Sequence, residues 1–278
     1  MRNNRETLTA VFLVLCAAGC ATRDNTEFQL FHTQTRILAD GTAAAFESAL
    51  LFSRQNLVEA IADGNIDLLE NMILQREGVF TLSGDPATIP AGLSLAQRAV
   101  REAGSTIAEY TMLLAAITDS TNIAFSIGNA GQPYTGVFAS VTAVLVEHGR
   151  IEHDSRRVLA AMQTASPQID SLSSAMAELN VASANAVQAA YADMAARRQR
   201  AIAYSGGSPE AVRELIALNT EASSLLDELS ALRDVWLLVP AVHSELMSSL
   251  VSVSSSSTLR VLTMRLIDIN RKVKAGNE

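Results

Sequence analysis

The sequence predicts an all-α protein, an elongated up-and-down bundle of roughly five to seven helices with no substantial sheet. Three observations carry this reading. Apolar residues recur at spacings of three and four almost throughout the chain, which is the period of a helix and not of a strand. Aromatic residues make up only 5% of the 278 residues, and Ala, Leu, Ser and Val dominate, so helices should approach closely without enclosing a large cavity. The breaks between periodic segments are short, which favours antiparallel neighbours. No internal repeat and no long Pro- or Gly-rich linker divides the chain, so residues 27–278 read as one helical-bundle domain.

The first long helix is expected from about Glu27 to Ala62, with Phe28, Phe31, Leu38, Ala45, Ala49, Phe52 and Leu57 among its apolar positions. Asp40-Gly41 should loosen its middle, and Asp63-Gly64-Asn65 is a stop signal. A shorter helix follows from Ile66 to about Arg76. Val79 to Gly92 carries two prolines and two glycines and reads as a non-helical excursion. Ser94-Leu95-Ala96-Gln97 then reads as a capping box. The helix after it has the clearest heptad, through Val100, Ala103, Ile107, Tyr110, Leu114 and Ile117; such a seam needs a facing helix.

Asp119 to Gln132 is a turn region, and Pro133 begins a helix expected to reach Ala165. Ser166-Pro167 and Ser208-Pro209 both read as helix starts, with serine as cap and proline in the first turn. Between them, Ile169, Leu172, Met176, Leu179, Ala186, Ala190 and Met194 form an apolar stripe that Gly206-Gly207 ends. From Pro209 the pattern runs through Leu215, Leu218, Leu225, Leu229 and Leu232 to Val235, and Pro240 should kink or break it. Trp236 to Val242 is apolar all round and reads as a buried segment. Ser254 to Ser257 marks a break, Leu259 to Val273 a last helix, and residues 275–278 fray.

The first twenty residues are of another kind. Arg2 and Arg5 give a positive start, Leu8 to Ala18 a short apolar stretch, and Ala17-Ala18-Gly19 small residues directly before Cys20. The stretch is too short to span a bilayer, which takes about 20 residues. An ordinary signal peptide cut near Gly19 is one reading. The segment also resembles the lipobox of bacterial lipoproteins, with Ala17 standing where that family usually has leucine. The resemblance implies a signal peptide over residues 1–19, a diacylated Cys20 as mature amino terminus, and a spacer over residues 20–26. Ala21 after the cysteine implies the outer membrane rather than inner-membrane retention. The whole chain is similar to Ala-rich helical lipoproteins of Gram-negative bacteria, which carries over no functional residue besides Cys20.

Removal of residues 1–19 takes away Arg2, Arg5 and Glu6 and moves the formal net charge from −8 to −9. Nucleic-acid binding needs clustered cations, so an acidic chain argues against it. The basic runs, Arg197-Arg198-Gln199-Arg200 and Arg271-Lys272-Val273-Lys274, read as solvated helix faces or helix C-termini. With Cys16 leaving in the signal and Cys20 lipidated, the mature chain has no thiol for a disulfide, metal or nucleophile.

One cluster has chemical interest. On a helix, His148 and Glu152 share a face and make a half-site for zinc or a similar ion; Glu109, Asp119 or His243 would have to complete it. Against this, His148 and Ser155 also fall on a stripe with Val144, Ile151, Val158 and Met162, where a polar residue fixes helix register. His243 reads as a core histidine bonded to a neighbouring helix, and His32 as exposed. No nucleophile elbow and no phosphate loop is visible, and the only lysines are Lys272 and Lys274. No catalytic residue, metal or cofactor is expected. The expected function is that of a non-enzymatic, membrane-anchored, periplasm-facing interaction or scaffold protein with an envelope protein as partner. A ligand- or metal-sensing role for the His148/Glu152 face is the alternative. The contact region would be Val79–Gly92 together with Gly128–Tyr134.

Overall fold

A computed structural model describes residues 23–64, 89–118, 155–251 and 257–276. They form helices α1 (Arg23–Ala62), α2 (Ile89–Thr118), α3 (Ser155–Tyr204), α4 (Pro209–Trp236), α5 (Val239–Ser249) and α6 (Ser257–Gly276). There is no strand among the described residues, and none of their helices is long and apolar enough to cross a membrane. The segments containing Cys20, the expected Ile66–Arg76 helix, residues 79–88, the Gly128–Tyr134 loop, and His148 and Glu152 lie outside the described residues.

The chain directions alternate. Ala39 of α1 meets Gly104 of α2, and His32 meets Ala108 and Thr111, so α1 and α2 run antiparallel. Ser166 of α3 reaches His243 of α5 near one end, and Tyr191 reaches Asn219 of α4 further along, so α3 runs antiparallel to α4 and α5. Thr258 pairs with Glu245 and Arg265 with Asp234, so α6 folds back along α5 and α4. The longest helix, α3, has 50 residues and spans about 75 Å at 1.5 Å per residue. The body is therefore the long up-and-down bundle that the periodicity implies.

Much of the core comes from the expected stripes, although Leu57 and Ala186 are only half-buried and Phe46, Leu50, Leu113 and Val187 join them. Phe28, Phe31, Leu38, Ala45, Ala49 and Phe52 of α1 are buried, as are Val100, Ile107, Tyr110 and Leu114 of α2. Ile169, Met176, Ala190 and Met194 of α3 join Leu218, Leu225, Leu229, Leu232 and Val235 of α4. Small side chains set the closest approaches. A Cβ on Gly104 would lie 2.8 Å from Ala39 Cβ, and one on Gly41 would lie 3.5 Å from Leu232. Gly41 thus does not loosen α1, which runs on through it; it marks where α4 comes close.

Several boundaries differ from the sequence expectation. Ser166-Pro167 does not start a helix: Pro167 lies inside α3, which begins at Ser155. Proline removes one backbone donor there, but Val158, Met162 and Ala165 before it and Ile169 after it are all buried, and this packing on both sides holds the helix continuous. Ser94 is no cap either, because α2 already begins at Ile89. Residues 89–92 are accordingly helical, since Pro90 is tolerated in a first turn, where its missing donor has no partner to lose.

Other signals act as expected. Gly206 and Gly207 take φ values of 65° and 87°, and the Gly207 amide donates to the Ile202 carbonyl at 2.9 Å, closing α3 with a left-handed cap. Ser208 precedes α4 with Pro209 in its first turn, though its side chain makes no cap bond. Pro240 sits in the first turn of α5 after the Leu237-Leu238 turn. In that apolar run, Trp236, Val239 and Val242 are buried while Leu237 is exposed.

Candidate functional site

Polar side chains inside the bundle tie the α1–α2 hairpin to the α3–α4–α5 unit at three levels. At one end, Tyr110 of α2 shares a 2.8 Å hydrogen bond with His243 Nε2 of α5, and Ser166 Oγ of α3 lies 3.4 Å from His243 Nδ1. At mid-height, the Trp236 indole donates to Thr42 Oγ1 at 2.8 Å. At the other end, Arg198 makes a two-pronged ion pair with Glu59, at 2.7 and 3.0 Å. Arg197 donates to the Asn56 carbonyl at 3.1 Å and lies 3.4 Å from Asp63. Directional bonds between helices fix register in a way that apolar packing does not.

The first of these clusters contains a hydroxyl, an imidazole and a phenol, the residue types of nucleophilic catalysis. Tyr110 and His243 are each 1% exposed, so the imidazole is shut off from solvent. Burial lowers the His243 pKa to about 4 and pushes the Tyr110 phenol up. Both are therefore neutral near pH 7, as partners in a neutral hydrogen bond should be. The expectation of a core histidine bonded to a neighbouring helix is met. Both ring nitrogens of His243 thus have partners within the bundle.

His32 differs from its expected exposed state. It is half-buried, and its Nδ1 lies 3.0 Å from the Ala108 carbonyl and 3.3 Å from Thr111 Oγ1. A carbonyl can only accept, so Nδ1 carries the proton and Nε2 the lone pair. Burial, the largest effect, lowers its pKa, the Ala108 bond opposes this, and nearby Arg36 lowers it further. Arg197 and Arg198 also depart from expectation. Their side chains are only 15% and 22% exposed, because α1 and the turn after it bring Asn56, Glu59 and Asp63 against them. The Arg198 bond, the strongest influence, holds the Glu59 carboxyl below its usual range.

His32 lines an open groove of about 360 Å³ between α1 and α2. Ala39, Ala43 and Ala108 contribute small apolar surface to it, and Arg36, Asp40, Arg101 and Glu109 charge. No sequence motif marks this groove. Its residues follow helical spacing on each helix of the hairpin, His32-Arg36-Asp40 and Arg101-Ser105-Glu109, but only the antiparallel register places the two series side by side. Glu109, named as a possible metal ligand, faces this groove. Among the described residues, no three His, Cys, Asp or Glu side chains converge to hold a metal ion.

No protein-family model, curated protein or solved structure matches this chain.

Proposed function

We propose that the protein is a lipoprotein anchored through Cys20 to the outer membrane, periplasm-facing, whose helical bundle is a non-enzymatic scaffold for an envelope protein partner. One observation carries the reading: α1 begins at Arg23, so that residues 23–26 of the expected spacer are helical and only two residues, Ala21 and Thr22, separate the helix from the lipobox cysteine. A membrane tether of that length joins the acyl chains almost directly to a helix of 40 residues, about 60 Å long. The bundle would stand as a stiff body with its Tyr110–His243 end near the membrane and its Gly206–Gly207 turn remote from it. Several acyl chains are enough to hold such a body stably, where one would not be. The use of Tyr110–His243, Thr42–Trp236 and Glu59–Arg198 as interhelical ties supports a structural role rather than a catalytic one.

The test is metabolic labelling with palmitate, with mass spectrometry of the mature amino terminus, for the wild type and Cys20→Ser. The expected result is an acylated Cys20 terminus and membrane recovery, both lost in the variant. A mature terminus at another residue, without lipid, would refute the anchor. Cross-linking of the anchored protein in its own membranes should then capture one stoichiometric envelope partner, absent with Cys20→Ser.

A further inference from the structure

The groove between α1 and α2 is rimmed by Arg36 and Asp40 on one helix and Arg101 and Glu109 on the other. The rim stands in water: the Arg36, Asp40 and Arg101 side chains are 71%, 79% and 65% exposed, and Glu109 is exposed. Within the chain these charges are weakly engaged, Arg36 with Asp40 at 4.0 Å and Arg101 with Glu47 at 3.4 Å. His32, on the same wall, has its pKa lowered by burial. The floor of alanines would let another helix surface come close.

The register of the hairpin fixes the pattern of this rim. Ala39 is level with Gly104, and His32 with Ala108 and Thr111. Arg36 is therefore level with Glu109, and Asp40 with Arg101, each to within about two residues or ~3 Å of helix rise. Consider a second copy turned by 180° about an axis along the groove. Its α2 falls on the first copy's α1. Arg36 then faces Glu109 of the other copy, Asp40 faces its Arg101, and symmetry repeats both pairs. Every rim charge meets its opposite, and none meets its like.

We propose that this groove is the interface of a parallel two-fold homodimer, the occupant being a second copy of the chain. The choice of a parallel axis rests on the anchor reading above. Two copies held in one membrane by the start of α1 must point the same way, and confinement to the membrane raises their effective concentration. A two-fold axis across the groove would pair Arg36 with Asp40 and Arg101 with Glu109, but would send the two α1 starts to opposite ends. An isologous contact of this kind closes on itself and does not propagate.

The experiment uses the full-length protein purified in detergent, with its protein mass measured by light scattering. The wild type should have twice the chain mass. One variant carries Arg36→Glu and Arg101→Glu, a second carries Asp40→Arg and Glu109→Arg. Each should halve in mass with unchanged helical circular dichroism, and an equimolar mixture should return to the dimer mass as a heterodimer. For orientation, Arg36→Cys in one copy should cross-link to Glu109→Cys in another. A monomeric wild type, or charge variants that stay dimeric alone, would overturn the interface. Cross-linking of Arg36→Cys to Asp40→Cys in place of Glu109→Cys would overturn the parallel arrangement. Palmitate incorporation reports separately on the anchor: a dimeric protein without lipid would defeat that reading and leave the interface standing.

Discussion

Acid should weaken this protein through one buried side chain. His243 is 1% exposed and has its pKa lowered by burial from 6.5 to about 4. Above pH 6.5 the ring is neutral whether the chain is folded or not, and its packing between Tyr110 and Ser166 contributes in full. As pH falls from 6.5 towards 4, only the unfolded chain takes up the proton, so stability falls. Below about 4 both states are protonated and the loss is complete. A difference of about 2.5 pK units at 1.36 kcal/mol each corresponds to about 3 kcal/mol, a large part of the total stability of an ordinary domain. The assay is urea denaturation at closely spaced pH values from 7.5 to 4, for the wild type and for His243→Gln. The variant should be less stable at pH 7.5, and the gap should close by about 3 kcal/mol on reaching pH 4. Carboxylates such as Glu59 titrate in both proteins and cancel in the difference. Parallel stability curves across the whole range would refute the reasoning, since they would mean that His243 titrates alike in both states.

Gly104→Ala places a Cβ 2.8 Å from Ala39 Cβ. Overpacking costs about 1–3 kcal/mol and better helix propensity returns up to ~1, so denaturation should show a net loss of up to about 2 kcal/mol. The same change on an Ala39→Gly background should lose the overpacking cost and stabilise by up to ~1 kcal/mol. Glu59→Gln removes the carboxylate from Arg198 and Arg197, and should cost about 1–2 kcal/mol at low salt and less at high salt. Because the native Glu59 pKa is lowered, its contribution is present above the usual carboxylate range and is lost as pH falls through the lower native value. The two stability curves should therefore converge in acid.

Much of the fold was legible in the chain. The stripes Phe28–Phe52, Val100–Leu114, Ile169–Met194 and Leu218–Val235 became the core because a three-four period can bury only one face of one kind of element. Gly64 and Gly206-Gly207 stop helices through left-handed backbone that residues with a Cβ rarely adopt. The Ser-Pro steps show where local reading fails. Ser208-Pro209 and Ser166-Pro167 have the same local chemistry, yet one starts a helix and the other lies inside one. The difference is tertiary: buried side chains on both sides of Pro167 hold α3 together across a lost hydrogen bond.

The polar sites divide in the same way. His243 was recognisable as a core histidine from the apolar run beside it, but Tyr110 and Ser166 as its partners were not. His32 and the Arg197-Arg198 pair read as solvated, because nothing nearby in sequence announces Ala108, Glu59 or Asp63. The groove charges carry no signal in the sequence beyond helical spacing. The sequence by itself determined the helical class, the core stripes, the glycine stops and the lipobox-like start, since each depends on residues within a few turns of one another. The tertiary structure alone decided helix register, the burial of His32 and the paired arginines, and the facing of Arg36–Asp40 with Arg101–Glu109. Those depend on which helix packs against which, and on small side chains such as Gly104 and Ala39 setting how closely they meet.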